Sequence, residues 1–170
     1  VSLRPGVKVV LQIAAAVVAI RHGVVIRILT NPGDASAEAI ALGALSVPVT
    51  LLWIVGMTNA LNLIDGLDGL AAGVCGIGCA SMLAVSLFLP QATEISVLVA
   101  ALGGACLGFL PFNINPAKIF MGDSGSLLLG YVLSTASVLG LFKMYTLVAF
   151  AVPVLTLALP LTDTVFAVVR

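Results

Sequence analysis

Acidic and amide side chains recur at a fixed spacing in the segment NALNLIDGLDGLAAG, which covers residues 59–73. Asn59, Asn62, Asp65 and Asp68 follow one another at intervals of three residues, so a helical turn would stack their oxygens along one side. A row of carboxylate and amide oxygens suits a hard cation or sugar hydroxyls. Asp68 taken alone could instead cap the next helix.

A second polar segment, PFNINPAKIFMGDSGSLLLG, covers residues 111–130. Asp123 stands just before an apolar run, where it could cap a helix and direct its other oxygen toward a metal. The backbone N–H groups of residues 124–126 would then face an anion such as phosphate. Lys118 lies in the same segment, and two roles stay open for it: holding a phosphate oxygen, or anchoring the helix at the membrane interface.

The composition indicates which elements position these segments. Hydrophobic residues make up 61% of the chain and charged residues 8%, with a mean hydropathy of +1.26 and no net charge. This composition excludes a soluble domain and nucleic-acid binding, and it predicts an all-α, polytopic transmembrane helix bundle. About six spans fit the apolar runs, at residues 7–20, 45–58, 70–89, 95–110, 127–141 and 146–169.

The topology places both polar segments on one face of the membrane, because two crossings separate them. Four of the seven basic residues fall on that face, which favours the cytoplasm. Between the first two spans, residues 24–45 alternate apolar and polar positions around turn residues, which predicts a small extracytoplasmic hairpin or loop. The cysteines lie in apolar runs and suit packing, and Asp163 is interpreted as a residue that supports the site.

On these two segments, the chain resembles the polyprenyl-phosphate N-acetylhexosamine-1-phosphate transferases of bacteria. The resemblance implies transfer of a sugar-1-phosphate from a UDP-sugar donor to undecaprenyl phosphate, with release of UMP and dependence on Mg²⁺, with Mn²⁺ as the alternative ion. It also implies a multi-pass enzyme of the bacterial cytoplasmic (inner) membrane, with the active site facing the cytoplasm, embedded in the lipid bilayer and with a homodimer as one expected assembly.

The family resemblance implies a role for each matching residue. Asp65 and Asp123 match catalytic carboxylates, and Asp123 is also expected to bind the metal together with Asn62. The expected substrate-binding residues match positions beside the diphosphate and the nucleoside, with Phe120 flanking the base; they are Asn59, Asn62, Asp68, Lys118 and Phe120.

Two departures from the family pattern concern the ends of the chain. The family has an adjacent pair of aspartates before the first segment and a histidine-containing cytoplasmic loop after the last helix, and neither occurs here. Residues 1–170 are therefore interpreted as a partial membrane-embedded transferase domain.

We expect that the 170 residues expressed alone release no UMP from a UDP-sugar. The missing aspartate pair is a candidate for activating the lipid phosphate, and the missing loop would help to recognise the sugar. A UMP assay on the purified chain checks this expectation, and measurable turnover would contradict it.

The Leu-Ile pair in NLIDG resembles the GlcNAc-1-phosphate branch of the family, so UDP-GlcNAc is the expected donor and UDP-MurNAc-pentapeptide the alternative. Two hypotheses from other classes stay open. An ion-coupled transporter also places acidic residues among glycine-interrupted helices. A purely structural membrane subunit leaves both polar segments unexplained.

Overall fold

The computed structural model describes residues 4–29, 40–86 and 93–140. Within them the chain is mainly helical, as predicted. The helices are α1 (Pro5–Arg21), α2 (Ser46–Ile64), α3 (Leu70–Ser86), α4 (Thr93–Asn113) and α5 (Gly122–Gly140), with a short 3-10 turn at Gly43–Leu45 before α2. The sixth predicted span at residues 146–169, with Asp163, lies outside the described residues.

Two short strands confirm the predicted hairpin between the first two helices. Strand β1 (Ile28–Leu29) pairs antiparallel with β2 (Ile40–Ala41), and Ile28 lies opposite Ala41. The backbone N–H of Ile26 donates to the buried Thr50 hydroxyl at 2.9 Å, which attaches the hairpin to α2.

Two helical segments of the described chain are long and apolar enough to cross a membrane. They are Gly43–Ile64 and Glu94–Asn113, and a shorter apolar helix covers Leu70–Ala84. Many large apolar side chains on α1, α2 and α4 are exposed, such as Val10, Leu52 and Leu107. Lipid is the environment that suits such surfaces.

Helix α2 extends beyond the predicted boundary at Thr58 and ends at Ile64. Asn59 and Asn62 therefore lie inside a helix, and their predicted position in a loop is wrong. The apolar run ends at Thr58, but the polar residues after it continue the helix, although an amide is costly at membrane depth. Asn59 overcomes this cost because its amide nitrogen donates both to Val55 O at 2.8 Å and to a side chain of α1.

Small residues allow the helices to pack closely in two pairs. A Cβ atom added to Gly130 on α5 would lie 2.6 Å from the Cα of Thr58, so α2 and α5 are in backbone contact there. On the other side, α3 packs against α4, where a Cβ atom on Gly103 would lie 3.0 Å from Cβ of Cys79. The three cysteines, all free and buried, fill this second interface, as the packing interpretation predicts; they are Cys75, Cys79 and Cys106.

Candidate functional site

Three helices meet around the carboxylate of Asp123, which lies in the first turn of α5. Lys8 of α1 forms an ion pair and hydrogen bond with Asp123 Oδ2. Asn62 of α2 donates its amide nitrogen to Asp123 Oδ1 at 3.2 Å and to the Ser126 hydroxyl at 2.8 Å. The hydrogen bonds from Lys8 and Asn62, together with the positive charge of Lys8, lower the pKa of Asp123.

Asp65 is the second carboxylate of this cluster and follows the last residue of α2. Partial burial raises its pKa, the negative charge of Asp123 raises it further, and a hydrogen bond from the Gly122 N–H opposes both effects. Gly122 has a φ of +69°, a left-handed conformation that glycine adopts without strain and that turns the chain into α5. Two carboxylates of interacting charge and one ammonium group thus share one end of the bundle.

Replacing Asp65 with asparagine is expected to raise thermal stability at pH 7 in buffer without divalent cations. A carboxyl group whose pKa is raised by folding contributes its full stability below its ordinary pKa and loses it as the pH rises through the raised value. We expect Asp65→Asn to raise Tm by about 1–4 °C at pH 7, the size of a solvent-screened charge interaction. The gain should vanish below about pH 4.

Thermal unfolding of the intact parent protein in detergent, measured across this pH range, checks the prediction. Glu94→Gln is the matched control, because Glu94 lies in the first turn of α4, at the opposite end of that helix from the site. A gain for Asp65→Asn that is equal at pH 4 and pH 7 would contradict the assigned charge interaction.

Asn59 lies one helical turn before Asn62 and makes a different contact. Its amide nitrogen donates to Gln12 Oε1 at 2.6 Å, and its oxygen accepts from Gln12 Nε2 at 3.3 Å. The row of polar residues predicted from the sequence therefore exists on α2, but its members bind different partners. Only Asn62 and Asp65 meet Asp123.

Asp68 joins the two polar segments to each other. Its Oδ2 atom accepts from Asn115 Nδ2 at 3.2 Å and from the Ala117 N–H at 3.1 Å. Both donors belong to the turn between α4 and α5, which includes a cis peptide bond between Asn115 and Pro116. The carboxylate of Asp68 thus joins the first turn, between α2 and α3, to the second turn, between α4 and α5.

The buried side chain of Asn113 makes a second connection between these turns. Its oxygen accepts from the Gly69 N–H at 3.1 Å, and its nitrogen donates to the Ile119 carbonyl at 2.9 Å. Gly69 has a φ of +76°, and a Cβ atom there would lie 3.6 Å from the Cα of Ile114. The distance is an ordinary van der Waals contact, so it is the positive φ that favours glycine at this position.

The same turn carries the remaining predicted binding residues. Lys118 is exposed, and its backbone N–H donates to the Phe112 carbonyl at 2.8 Å. Phe120 exposes 74% of its surface, which leaves its ring available to a ligand. The structure describes no ligand contact for either residue, and their binding roles stay predictions.

Sequence analysis missed the contribution of α1. Lys8 was used only to count charges, and Gln12 was not considered, although both are polar residues on an apolar helix. Their spacing of four residues in KVVLQ places them on one face of that helix. An ionisable residue at membrane depth is a functional candidate, and this signal could have identified Lys8.

The chemistry of the cluster fits a divalent cation. Mg²⁺ binds proteins through one or two carboxylates and takes its other ligands from phosphates and water. Asp123 and Asp65 would supply these carboxylates, and the ammonium group of Lys8 shows that a cation is stable against Asp123. Asn62 directs its nitrogen to Asp123, so in this arrangement it supports the carboxylate, whereas binding a metal would require its oxygen.

Comparison with known proteins supports the resemblance drawn from the two polar segments. A protein of Bacillus subtilis, named as a probable undecaprenyl-phosphate N-acetylglucosaminyl 1-phosphate transferase, is 43% identical over 169 residues. This alignment covers 99% of the chain and 46% of the relative. The chain therefore spans about half the length of this relative. It spans a smaller share of the two relatives described below.

Two further relatives are named phospho-N-acetylmuramoyl-pentapeptide-transferases. The protein of Chlamydia trachomatis serovar L2 is 52% identical over 97 residues, covering 56% of the chain and 29% of the relative. The protein of Rubrobacter xylanophilus is 42% identical over 131 residues, covering 75% and 39%. The family model described as glycosyl transferase family 4 matches residues 1–141. With most of its length matched by that model, the chain belongs to glycosyl transferase family 4.

Proposed function

We propose that the parent protein transfers N-acetylhexosamine-1-phosphate from a UDP-sugar to undecaprenyl phosphate and releases UMP. The observation that carries this proposal is the cluster in which Asp123 contacts Lys8 and Asn62 while its charge acts on Asp65. A diphosphate donor and a phosphate acceptor are both anionic, so they need a site where cations and carboxylates lie together. The named relatives are transferases, which supports an enzyme over an ion-coupled carrier.

The residues of the cluster have separate roles in this proposal. A bound Mg²⁺ ion, held by Asp123 with Asp65 beside it, would neutralise phosphate charge as the transfer proceeds. Lys8 reaches the same carboxylate from α1, so its ammonium group can exchange Asp123 for a phosphate oxygen of the donor. Asn62 holds Asp123 in place through its amide nitrogen. Transfer of a phosphoryl group depends mainly on such positioning and charge neutralisation.

The two joined turns are proposed to bind the nucleoside end of the donor. Phe120 projects from the second turn as an exposed aromatic ring, on which a base can stack. Lys118 lies two residues away on the same exposed turn. Asp68 fixes this turn through Asn115 and Ala117, so its contribution to donor binding includes holding the turn.

We propose UDP-GlcNAc as the donor and UDP-MurNAc-pentapeptide as the alternative. The GlcNAc relative aligns with 99% of the chain, whereas the first MurNAc-pentapeptide relative is more identical but aligns with 56%. Similarity along the whole chain supports the first donor. The proposal also includes about six crossings of the bacterial cytoplasmic membrane, a site that faces the cytoplasm, and a homodimer.

Release of UMP by the intact parent protein in membranes tests the proposal. The mixture contains undecaprenyl phosphate and Mg²⁺, with UDP-GlcNAc in one reaction and UDP-MurNAc-pentapeptide in another. We expect release from UDP-GlcNAc that stops when Mg²⁺ is chelated. Release from the pentapeptide donor alone would keep the reaction and change the substrate, and folded protein inactive with both donors would refute the transferase.

A further inference from the structure

Among the described residues, helix α1 makes little apolar contact with the other helices of the bundle. Its two buried side chains are the small residues Ala16 and Ala19, and most of its large apolar side chains are exposed. In lipid, exposed apolar side chains do not drive helix association, because the lipid tails are equally apolar. The polar contacts of α1 therefore act beside the close packing of Ala16 and Ala19 in fixing its position along and around its axis.

Besides the ion pair of Lys8 and Asp123, the contacts of α1 include the amide pair of Gln12 and Asn59. Both amides donate and accept, at 2.6 Å and 3.3 Å, so the pair is reciprocal. Both residues are partly buried. A one-residue slip or a rotation of α1 would break both hydrogen bonds at once, which leaves the Gln12 amide without these partners and the Asn59 nitrogen with the Val55 carbonyl alone.

We propose that the Gln12–Asn59 pair sets the register of α1 against α2 and thereby holds Lys8 beside Asp123. Lys8 precedes Gln12 by one helical turn on the same face of α1, and Asn62 follows Asn59 by nearly one turn on α2. The amide pair therefore lies about one helical turn from the contacts of Lys8 and Asn62 with Asp123.

This proposal changes the role of Asn59. Sequence analysis predicts that it binds substrate, whereas here it is a positioning residue that acts through Gln12. Another polar contact also joins α1 to the bundle. The Tyr131 hydroxyl donates to the Ala15 carbonyl at 3.2 Å, so it holds α1 without engaging a side chain of that helix.

The chemical reactivity of Lys8 tests the proposal without reference to activity. The intact parent protein in detergent is treated with limiting N-hydroxysuccinimide acetate, and acetylation of Lys8 and of the exposed Lys118 is measured by mass spectrometry. We expect Gln12→Ala to raise Lys8 acetylation, relative to Lys118, by about two- to five-fold, which corresponds to loss of an exposed ion pair. Glu94→Gln, at the end of α4 opposite the site, should leave the ratio unchanged.

Exchange of the two amides gives a second test. Its turnover readout rests on the proposed function, and its acetylation readout does not. Gln12→Asn shortens one partner and Asn59→Gln lengthens the other, so each single variant breaks the pair while the double variant restores its combined length. We expect each single variant to lower kcat for UMP release and to raise Lys8 acetylation. The double variant should recover both, with the thermal stability of all variants measured alongside.

The outcomes are distinct. Unchanged Lys8 acetylation in folded Gln12→Ala protein would overturn the proposal, as would a double variant that recovers neither reactivity nor turnover. Recovered Lys8 protection without recovered turnover would keep the register role and return Asn59 to substrate binding. If the unaltered parent releases no UMP, the proposed function fails, and the acetylation experiment still decides the role of the pair.

Discussion

Asp123→Asn in the intact parent protein is expected to lower the rate of UMP release by at least about 100-fold, the typical cost of removing one group that stabilises transition-state charge. The substitution keeps the size of the side chain but removes the charge that holds Lys8 and that would hold a cation. Asn62 and Ser126 remain beside the new side chain, so we expect the backbone of α5 to keep its position. The effect should appear mainly in kcat.

The UMP assay with UDP-GlcNAc and saturating Mg²⁺ measures this loss. Glu94→Gln is the matched control, since it removes one carboxylate charge from the opposite end of α4. Chromatography in detergent confirms that both variants are folded. An Asp123→Asn protein that keeps more than about a tenth of the parental rate would contradict the central role given to this carboxylate, because even a supporting residue of a metal site usually costs 10- to 100-fold.

Gly130→Ala is expected to destabilise the protein by about 3 kcal/mol or more, at the upper end of the range for overpacked cores. The added methyl group would lie 2.6 Å from the Cα of Thr58 and 3.0 Å from the Met57 carbonyl oxygen. Both are backbone atoms of α2, so no side-chain rotation can make room, and α2 must separate from α5. That separation would also pull Asn62 away from Asp123.

Gly108→Ala is the matched control, because nothing lies within 4 Å of a Cβ atom at this position of α4. Alanine in place of an unconstrained helical glycine should be neutral or stabilise by about 0.5–1 kcal/mol. The fraction of protein that stays monodisperse after heating gives an apparent Tm for both variants. Equal stability of the two would show that α2 and α5 are not in backbone contact at Gly130.

Most of the helical framework followed from the sequence, because long apolar runs leave few alternatives to membrane helices. Three described helices begin and end within three residues of their predicted limits, α5 begins five residues before its predicted start, and the hairpin is confirmed. The end of α2 was missed because the hydropathy falls at Asn59 while the helix continues to Ile64. Hydropathy reports the cost of an amide in lipid but not the partner that removes it, and Gln12 lies 47 positions away in sequence.

The site was predicted in part for a similar reason. Spacing within each polar segment identified Asn62, Asp65 and Asp123, and the structure brings these three together. Spacing could not show that Asp68 would turn toward Asn115, since that contact joins two segments. Lys8 was not assigned to the site because Asp123, its partner, lies 115 positions away in sequence.

The contacts of α1 differ in how much water can reach them, and this difference affects how firmly each end of the helix is held. Tyr131 holds Ala15 within the helical region, whereas Lys8 meets Asp123 where more than half of the carboxylate surface is exposed (56%). Hydrogen bonds shielded from water exchange less readily than an ion pair that water can solvate. The helix is therefore held more firmly at its deeper end, by Tyr131 and the Gln12–Asn59 pair, than at Lys8. Ala15 and Lys8 are roughly 10 Å apart along α1. A small tilt of α1 about its deeper end would therefore displace the Lys8 ammonium group further than it displaces Ala15.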